Sequence, residues 1–199
     1  MNPTAGRPAR LLVMLSGSGR TLDNLIACID RGELNARVAA VVASKPCRGL
    51  EIARRHGIPT VIIERRLHPH ELDDLVEQHR TDWVVLAGYL RLVPVTDRTR
   101  GRIINIHPAL LPDFGGPGMH GMAVHTAVVN AAKRGEVTES GCTVHYADEQ
   151  YDTGDTILQM RCPVHPTDTP QQLADRVFEL ELQAYPEALR RLIANDRPH

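Results

Sequence analysis

The sequence predicts an α/β fold: a Rossmann-like, mostly parallel sheet with helices on both faces, finished by a C-terminal strand pair and a long closing helix. Three observations predict it. Apolar runs alternate with amphipathic segments from about residue 10 to residue 135, the pattern of strands joined by crossover helices. The runs are nearly continuous in apolar residues, as in strands buried on both faces. After residue 138 the pattern changes to two strand-like segments around a turn, followed by one long helical period.

Element by element, "RLLVMLSGS" reads as a buried strand ending in a tight turn, and "TLDNLIACIDRGEL" as a helix with Leu22, Leu25, Ile26 and Ile29 on one face. The alternation repeats in "ARVAAVVAS" and "GLEIARRHG", then in "PTVIIE" and "HPHELDDLVEQHR". "DWVVLAGYL" is followed by a short polar stretch, and "RIINIHP" by the helical "GMAVHTAVVNAAKRG". "GCTVHYADEQ" and "DTILQMRCPV" read as two strands around "YDTGD". The closing helix starts with Thr169 as cap and Pro170 at its first position, and Pro186 predicts a kink or break within it.

With 199 residues, 42% hydrophobic and 24% charged, the chain fits one globular domain over 1–199, with residues 1–8 as a flexible tail. Net charge is −1 and there is no lysine or arginine run, so no electrostatic footprint for nucleic acid is present and a small-molecule substrate is expected. The polar start lacks an apolar signal region and no apolar run approaches 18 residues, so no membrane association and a cytoplasmic location are expected. Cys28, Cys47, Cys142 and Cys162 form no C-x-x-C pair and read as mostly buried thiols. His120 and His125 are five apart, the wrong spacing for one helix face, and no metal site is expected.

In a sheet of this kind ligands sit beyond the carboxyl ends of the strands, so the loops there carry the candidates. "SGSGRT" lies between the first strand and first helix. Its glycines and helix N-terminus suit an anion, although a plain strand-to-helix turn accounts for it equally. It is neither a dinucleotide fingerprint nor a Walker A loop. In "IINIHPALLP", period-2 alternation puts Asn105 and His107 on one face at a strand's end, and Pro108 stops the strand there. An amide N–H and an imidazole suit oxyanion stabilisation and proton handling in acyl transfer; a structural histidine beside a turn-forming asparagine is the plainer alternative. Asp152, in the turn "QYDTGD", either caps its own backbone or orients a histidine. Glu181, between Leu180 and Leu182, reads either as a ligand contact or as a solvated helix position.

Together these motifs resemble the folate-dependent formyltransferases, specifically those that formylate glycinamide ribonucleotide, from about Arg10 to Leu192. The signature is Asn105-x-His107-Pro108 followed by Leu110-Leu111-Pro112, with Asp152 downstream. The resemblance implies the formyltransferase fold and makes Asn105, His107 and Asp152 catalytic. It implies that Gly17, Ser18, Gly19, Arg20 and Thr21 hold the substrate phosphate, that Glu181 meets the glycinamide end, and that the backbone of Leu86 to Val93, at Leu90, Arg91, Leu92 and Val93, meets the folate. Arg20 and Thr21 stand where smaller Ser-Asn-like residues are commoner in the family, and "DFGGPGMHG" is longer than the usual loop, so the roles of His120 and His125 do not transfer.

The implied reaction is attack by the amine of glycinamide ribonucleotide on the formyl carbon of 10-formyltetrahydrofolate, a cosubstrate, in purine synthesis. On this reading Asn105 N–H and His107 hold the oxyanion, Asp152 orients His107, and the partners are two small molecules, with a homodimer left open. The tRNA formyltransferase and the formyltetrahydrofolate hydrolase share the Asn-His-Asp chemistry, but each carries a further domain for which 199 residues leave little room. A formyltransferase for another amine and a non-catalytic binding module complete the alternatives.

Overall fold

A computed structural model describes residues 6–196. In chain order the elements are β1 (Ala9–Leu15), α1 (Arg20–Asp30), β2 (Ala36–Ala43), α2 (Arg48–Arg55), β3 (Thr60–Ile62), α3 (Pro69–Gln78), β4 (Trp83–Leu86) and β5 (Ile103–His107). They are followed by α4 (Met122–Lys133), β6 (Glu139–Tyr146), β7 (Thr156–Pro163) and α5 (Pro170–Asn195). The strands form one sheet of order β3-β2-β1-β4-β5-β6-β7. The pairs from β3 to β5 are parallel, and β6 runs antiparallel to both β5 and β7. The expected α/β architecture is therefore the observed one.

The period of two sorts the apolar strand residues into two cores. Leu11, Val13 and Leu15 face the side covered by α1, α2, α4 and α5, while Leu12 and Met14 face the side covered by α3 and the chain after β4. Both faces are thus covered, which is why the strands lack a polar face. The chain runs outward from β1 to β2 and β3, then returns across to β4. The strand order reverses between β1 and β4, which opens a crevice at their carboxyl ends.

Three details depart from the sequence reading. Of the flexible tail expected over 1–8, residues 1–5 lie outside the described residues, but Arg7 is held: its guanidinium forks onto Asp82 at 2.9 and 2.7 Å. The strand in "PTVIIE" is only three residues long, because β3 pairs on one side alone, at the sheet edge. Of the kink or break expected at Pro186, the break does not occur: the helix runs on for 26 residues. Pro186 has no N–H to offer the carbonyl four residues earlier, that of Leu182. The Asn24 side chain on α1 donates to that carbonyl at 2.8 Å, so the helix continues with no acceptor left bare.

Candidate active site

A cavity of about 730 Å³ opens at the crevice, within the size range of small-molecule sites. Its walls are the loops after β1, β4 and β5, the glycine-rich segment before α4, the turn bearing Asp152, and one face of α5.

Asn105 and His107 reach this cavity from the end of β5, where alternation and register place them opposite His145 and Thr143 of β6. Thr143 also anchors the following segment: its hydroxyl donates to the Ala109 carbonyl at 2.7 Å and accepts the Leu111 N–H at 3.0 Å. Asp152 arrives from the β6–β7 turn in a left-handed conformation, φ 60°. The turn lies so close to β6 that a Cβ at Gly154 would sit 2.0 Å from the Tyr146 carbonyl oxygen. Glycine is therefore required there for Asp152 to reach the site.

The three side chains converge. Asp152 Oδ2 lies 3.5 Å from His107 Nδ1 and accepts the Gly116 N–H at 2.9 Å. Its Oδ1 lies 3.5 Å from Asn105 Nδ2 and 3.5 Å from His145 Nε2. His107 Nε2 donates to the Phe114 carbonyl at 2.8 Å, so both of its ring nitrogens face protein acceptors. The amide nitrogen of Asn105 lies 3.2 Å from His145 Nε2 and 3.5 Å from Asp152 Oδ1. The reason is the register of β6, which brings a histidine directly opposite it.

Burial pushes the His107 imidazole below its ordinary range, with the Asp152 charge acting against that shift. Burial also opposes the charge on Asp152, but His145, His107 and the Gly116 N–H outweigh it and hold the carboxyl below its usual range. An anionic Asp152 beside His107 is an arrangement that accommodates an imidazolium when one forms.

All five residues Gly17 to Thr21 line the same cavity. Gly19 caps α1 at φ 74° with no side-chain bond, leaving the first-turn N–H groups uncapped by a side chain at an anion-favouring helix end. A Cβ on Gly19 would meet the Gly49 backbone at 2.5 Å, so loop and α2 pack too closely for any larger residue. Arg20 stacks on Phe178 with its guanidinium carbon 3.7 Å from the ring centroid. Glu181 also lines the cavity, and burial raises its carboxyl to about 7 against the opposing charge of Arg20. The solvated-face alternative for Glu181 therefore does not hold.

Of the expected folate segment, Leu90 lines the cavity and its N–H donates to Ser16 Oγ at 3.1 Å. Arg91 turns away and donates to the carbonyls of Ile63 and Arg65, while Val93 is buried in the core under α3. The side chains of Arg91 and Val93 thus point away from the cavity, which leaves the backbone of this segment as the part expected to meet the folate.

Sequence reasoning missed His145, which is 1% exposed and meets both Asn105 and Asp152. Alternation in "TVHY" marks it as sharing a face with Thr143, but only the β5–β6 register brings it to the site. It also missed Tyr89, a cavity-lining residue of the loop after β4 whose buried hydroxyl has no partner among the described residues. His120 and His125 both line the cavity; His125 is buried with an unpartnered Nδ1, whereas His120 is exposed. Cys28, Cys142 and Cys162 are buried free thiols as expected, and Cys47 is partly buried.

Residues 9–189 match the formyl transferase family model. The chain belongs to the formyl transferase family. This formyltransferase is 39% identical over 163 residues to the chloroplastic phosphoribosylglycinamide formyltransferase of Arabidopsis thaliana, covering 77% of this chain and 54% of that one. It spans about half the length of the first curated relatives it matches. Among solved structures, glycinamide ribonucleotide transformylase 1 from Symbiobacterium toebii superposes with a TM-score of 0.81 at 34% identity, covering 96% of this chain and 90% of that one. Its counterpart from Geobacillus kaustophilus gives 0.80 at 35% identity, over 92% and 98%. Among the described residues, no group of three or more His, Cys, Asp or Glu is placed to hold a metal ion, and no helix is long and apolar enough to cross a membrane.

Proposed function

We propose that this formyltransferase moves the formyl group of 10-formyltetrahydrofolate to the amine of glycinamide ribonucleotide, giving formylglycinamide ribonucleotide and tetrahydrofolate in purine biosynthesis, and that it does so in the cytoplasm. The observation that carries the reading is the convergence of Asn105, His107 and Asp152 in one cavity with the uncapped start of α1 and with Glu181. Similarity over nearly the whole length of the Symbiobacterium transformylase supports the choice of acceptor.

The substrate phosphate binds the N–H groups of Gly17–Thr21 with Arg20 beside them, and Glu181 takes the glycinamide end. The folate lies along the backbone after β4 near Leu90. The amine nitrogen forms a bond to the formyl carbon and the carbonyl pair moves to oxygen; collapse then breaks the bond to the folate nitrogen. One proton leaves the amine and one reaches the departing nitrogen. His107 donates to the developing oxyanion, and Asp152 supports the charge on the imidazole. The Phe114 carbonyl holds the same Nε2 position in this structure, so a productive complex requires that the glycine-rich loop release it. Holding both substrates together supplies the largest share of the acceleration, about 7–11 kcal/mol for well-aligned groups.

The test is turnover of 10-formyltetrahydrofolate followed by absorbance, with and without glycinamide ribonucleotide. Turnover that depends on the ribonucleotide supports the assignment, and turnover in water alone replaces it with hydrolysis. His107→Ala is expected to lower turnover by about 10²-fold or more while leaving ribonucleotide binding in place. Near-parental turnover in that variant removes His107 from the mechanism.

A further inference from the structure

We propose that Phe178 is a positioning residue: its ring holds the Arg20 guanidinium beside the start of α1 and keeps it from pairing with Glu181, so that the cavity offers one positive and one negative group held apart. The inference rests on the proposed function for the ligand this suits, a molecule with a phosphate at one end and an amine at the other. The separation of the two charges rests on contacts within the chain.

Arg20 is the first residue of α1, at the helix end without a side-chain cap, and its side chain is exposed. Phe178 and Glu181 are three apart on α5, which makes them neighbours on one helix face, about 5–6 Å between Cβ atoms. All three residues line the cavity. The Arg20 guanidinium carbon sits 3.7 Å from the Phe178 ring centroid, well within the range of a cation–π contact. A guanidinium there is within reach of a carboxylate one helical turn on, and the two charges attract. Yet Arg20 acts on Glu181 through its charge alone, with no hydrogen bond between them. The other acid on that face, Asp175, accepts from the Gln171 side chain at 2.7 Å.

An aromatic ring attracts a cation through its face without neutralising it, so the guanidinium keeps its charge and its N–H groups for an anion. Without the ring, the carboxylate of Glu181 is the stronger partner within reach. A closed Arg20–Glu181 pair occupies both groups at once: the anion end loses its guanidinium and the amine end its carboxylate. Cys142 of β6 and Tyr185 of α5 also feel the Glu181 charge. Burial pushes the thiol up to about 12 and the phenol well above its usual range, so both stay neutral. Among the described residues, Arg20 is therefore the charged group that acts on Glu181.

The first readout does not depend on activity. The Glu181 carboxyl is followed through pH by ¹³C spectra of the labelled protein, with its signal assigned by its loss in Glu181→Gln. Arg20→Gln, at an exposed side chain, is expected to raise the midpoint, because it removes the opposing charge. Phe178→Leu is expected to lower the midpoint by about one pH unit or more as the guanidinium closes on the carboxylate, and to leave it unmoved in the Arg20→Gln background. Phe178→Tyr restores a ring face and is expected to return the parental midpoint. A parental midpoint in Arg20→Gln or in Phe178→Leu overturns the proposal. So does an equal fall with and without Arg20, which traces the effect to solvation of the carboxyl. The second readout is kinetic. Phe178→Leu is expected to raise KM for glycinamide ribonucleotide by about 2–5-fold, the scale of an exposed cation–π contact, with KM for 10-formyltetrahydrofolate changed less than about twofold. Parental KM in Phe178→Leu, or the same rise in the Arg20→Gln background, also overturns it. If the unsubstituted protein makes no use of glycinamide ribonucleotide, the proposed function fails, and the titration of Glu181 still decides the inference.

Discussion

Glu181 shows how one residue's environment reverses its ordinary behaviour. Between two leucines on α5, it faces the cavity, where burial raises its carboxyl to about 7, with Arg20 pulling the other way. In the unfolded chain the group titrates near 4.5. The folded state therefore holds the proton more tightly between those values, and stability falls as pH rises through that window until the group is fully ionised above it. Glu181→Gln is expected to raise stability at pH 8.5 by an amount on the order of 1–3 kcal/mol and to change it little at pH 4. Denaturant unfolding at both pH values checks this; a pH-independent effect contradicts a buried carboxylate. Ionised, Glu181 presents a negative charge to the cavity. Its helical spacing was readable in the sequence, but which face of α5 met the cavity was not, since leucines flank it on both sides.

At the scale of elements, the β6–β7 turn decides whether Asp152 reaches the histidines. Its composition, "YDTGD", marks a turn in the sequence. Its closeness to β6 and the left-handed Asp152 depend on packing. Gly154→Ala puts a methyl 2.0 Å from the Tyr146 carbonyl oxygen, a backbone atom that moves only if β6 moves. The expected result is a loss of about 2 kcal/mol or more in stability and at least tenfold in kcat, since backbone displacement carries Asp152 away from His107. Denaturant midpoints and steady-state turnover read the two effects, and unchanged kcat shows that the turn is not what positions Asp152. The closing helix teaches a parallel lesson. Pro186 by itself signals an interruption, and the compensating donor, Asn24, is 158 residues from Leu182 along the chain.

At the scale of the molecule, α5 closes the cavity because it is tied to the strands whose ends form the site. The Tyr185 hydroxyl lies 2.9 Å from the Leu86 carbonyl and 3.0 Å from that of Ile104, bridging α5 to β4 and β5 with its one hydrogen shared between them. Tyr185 is completely buried, so its loss leaves carbonyls without their donor. Tyr185→Phe is expected to cost about 1–2 kcal/mol, read as a lower denaturant midpoint with an unchanged slope. An unaltered midpoint removes the hydroxyl from the account of how helix and sheet stay together. The sheet order makes this tie useful: β1, β4 and β5 are neighbours, so the segments that follow these three strands open into one crevice.

From the sequence alone the strand and helix alternation, the exit of Asn105 and His107 at a strand end, the glycine loop before α1 and the capped start of α5 were legible, because each depends on local periodicity or turn chemistry. Only the tertiary structure decided that β6 pairs with β5 in the register that sets His145 against Asn105, that the Phe114 carbonyl meets His107, that Arg91 turns to the carbonyls of Ile63 and Arg65, and that α5 runs on through Pro186. These are contacts between segments far apart in the chain. Their geometry comes from strand register and close packing, which no local pattern encodes.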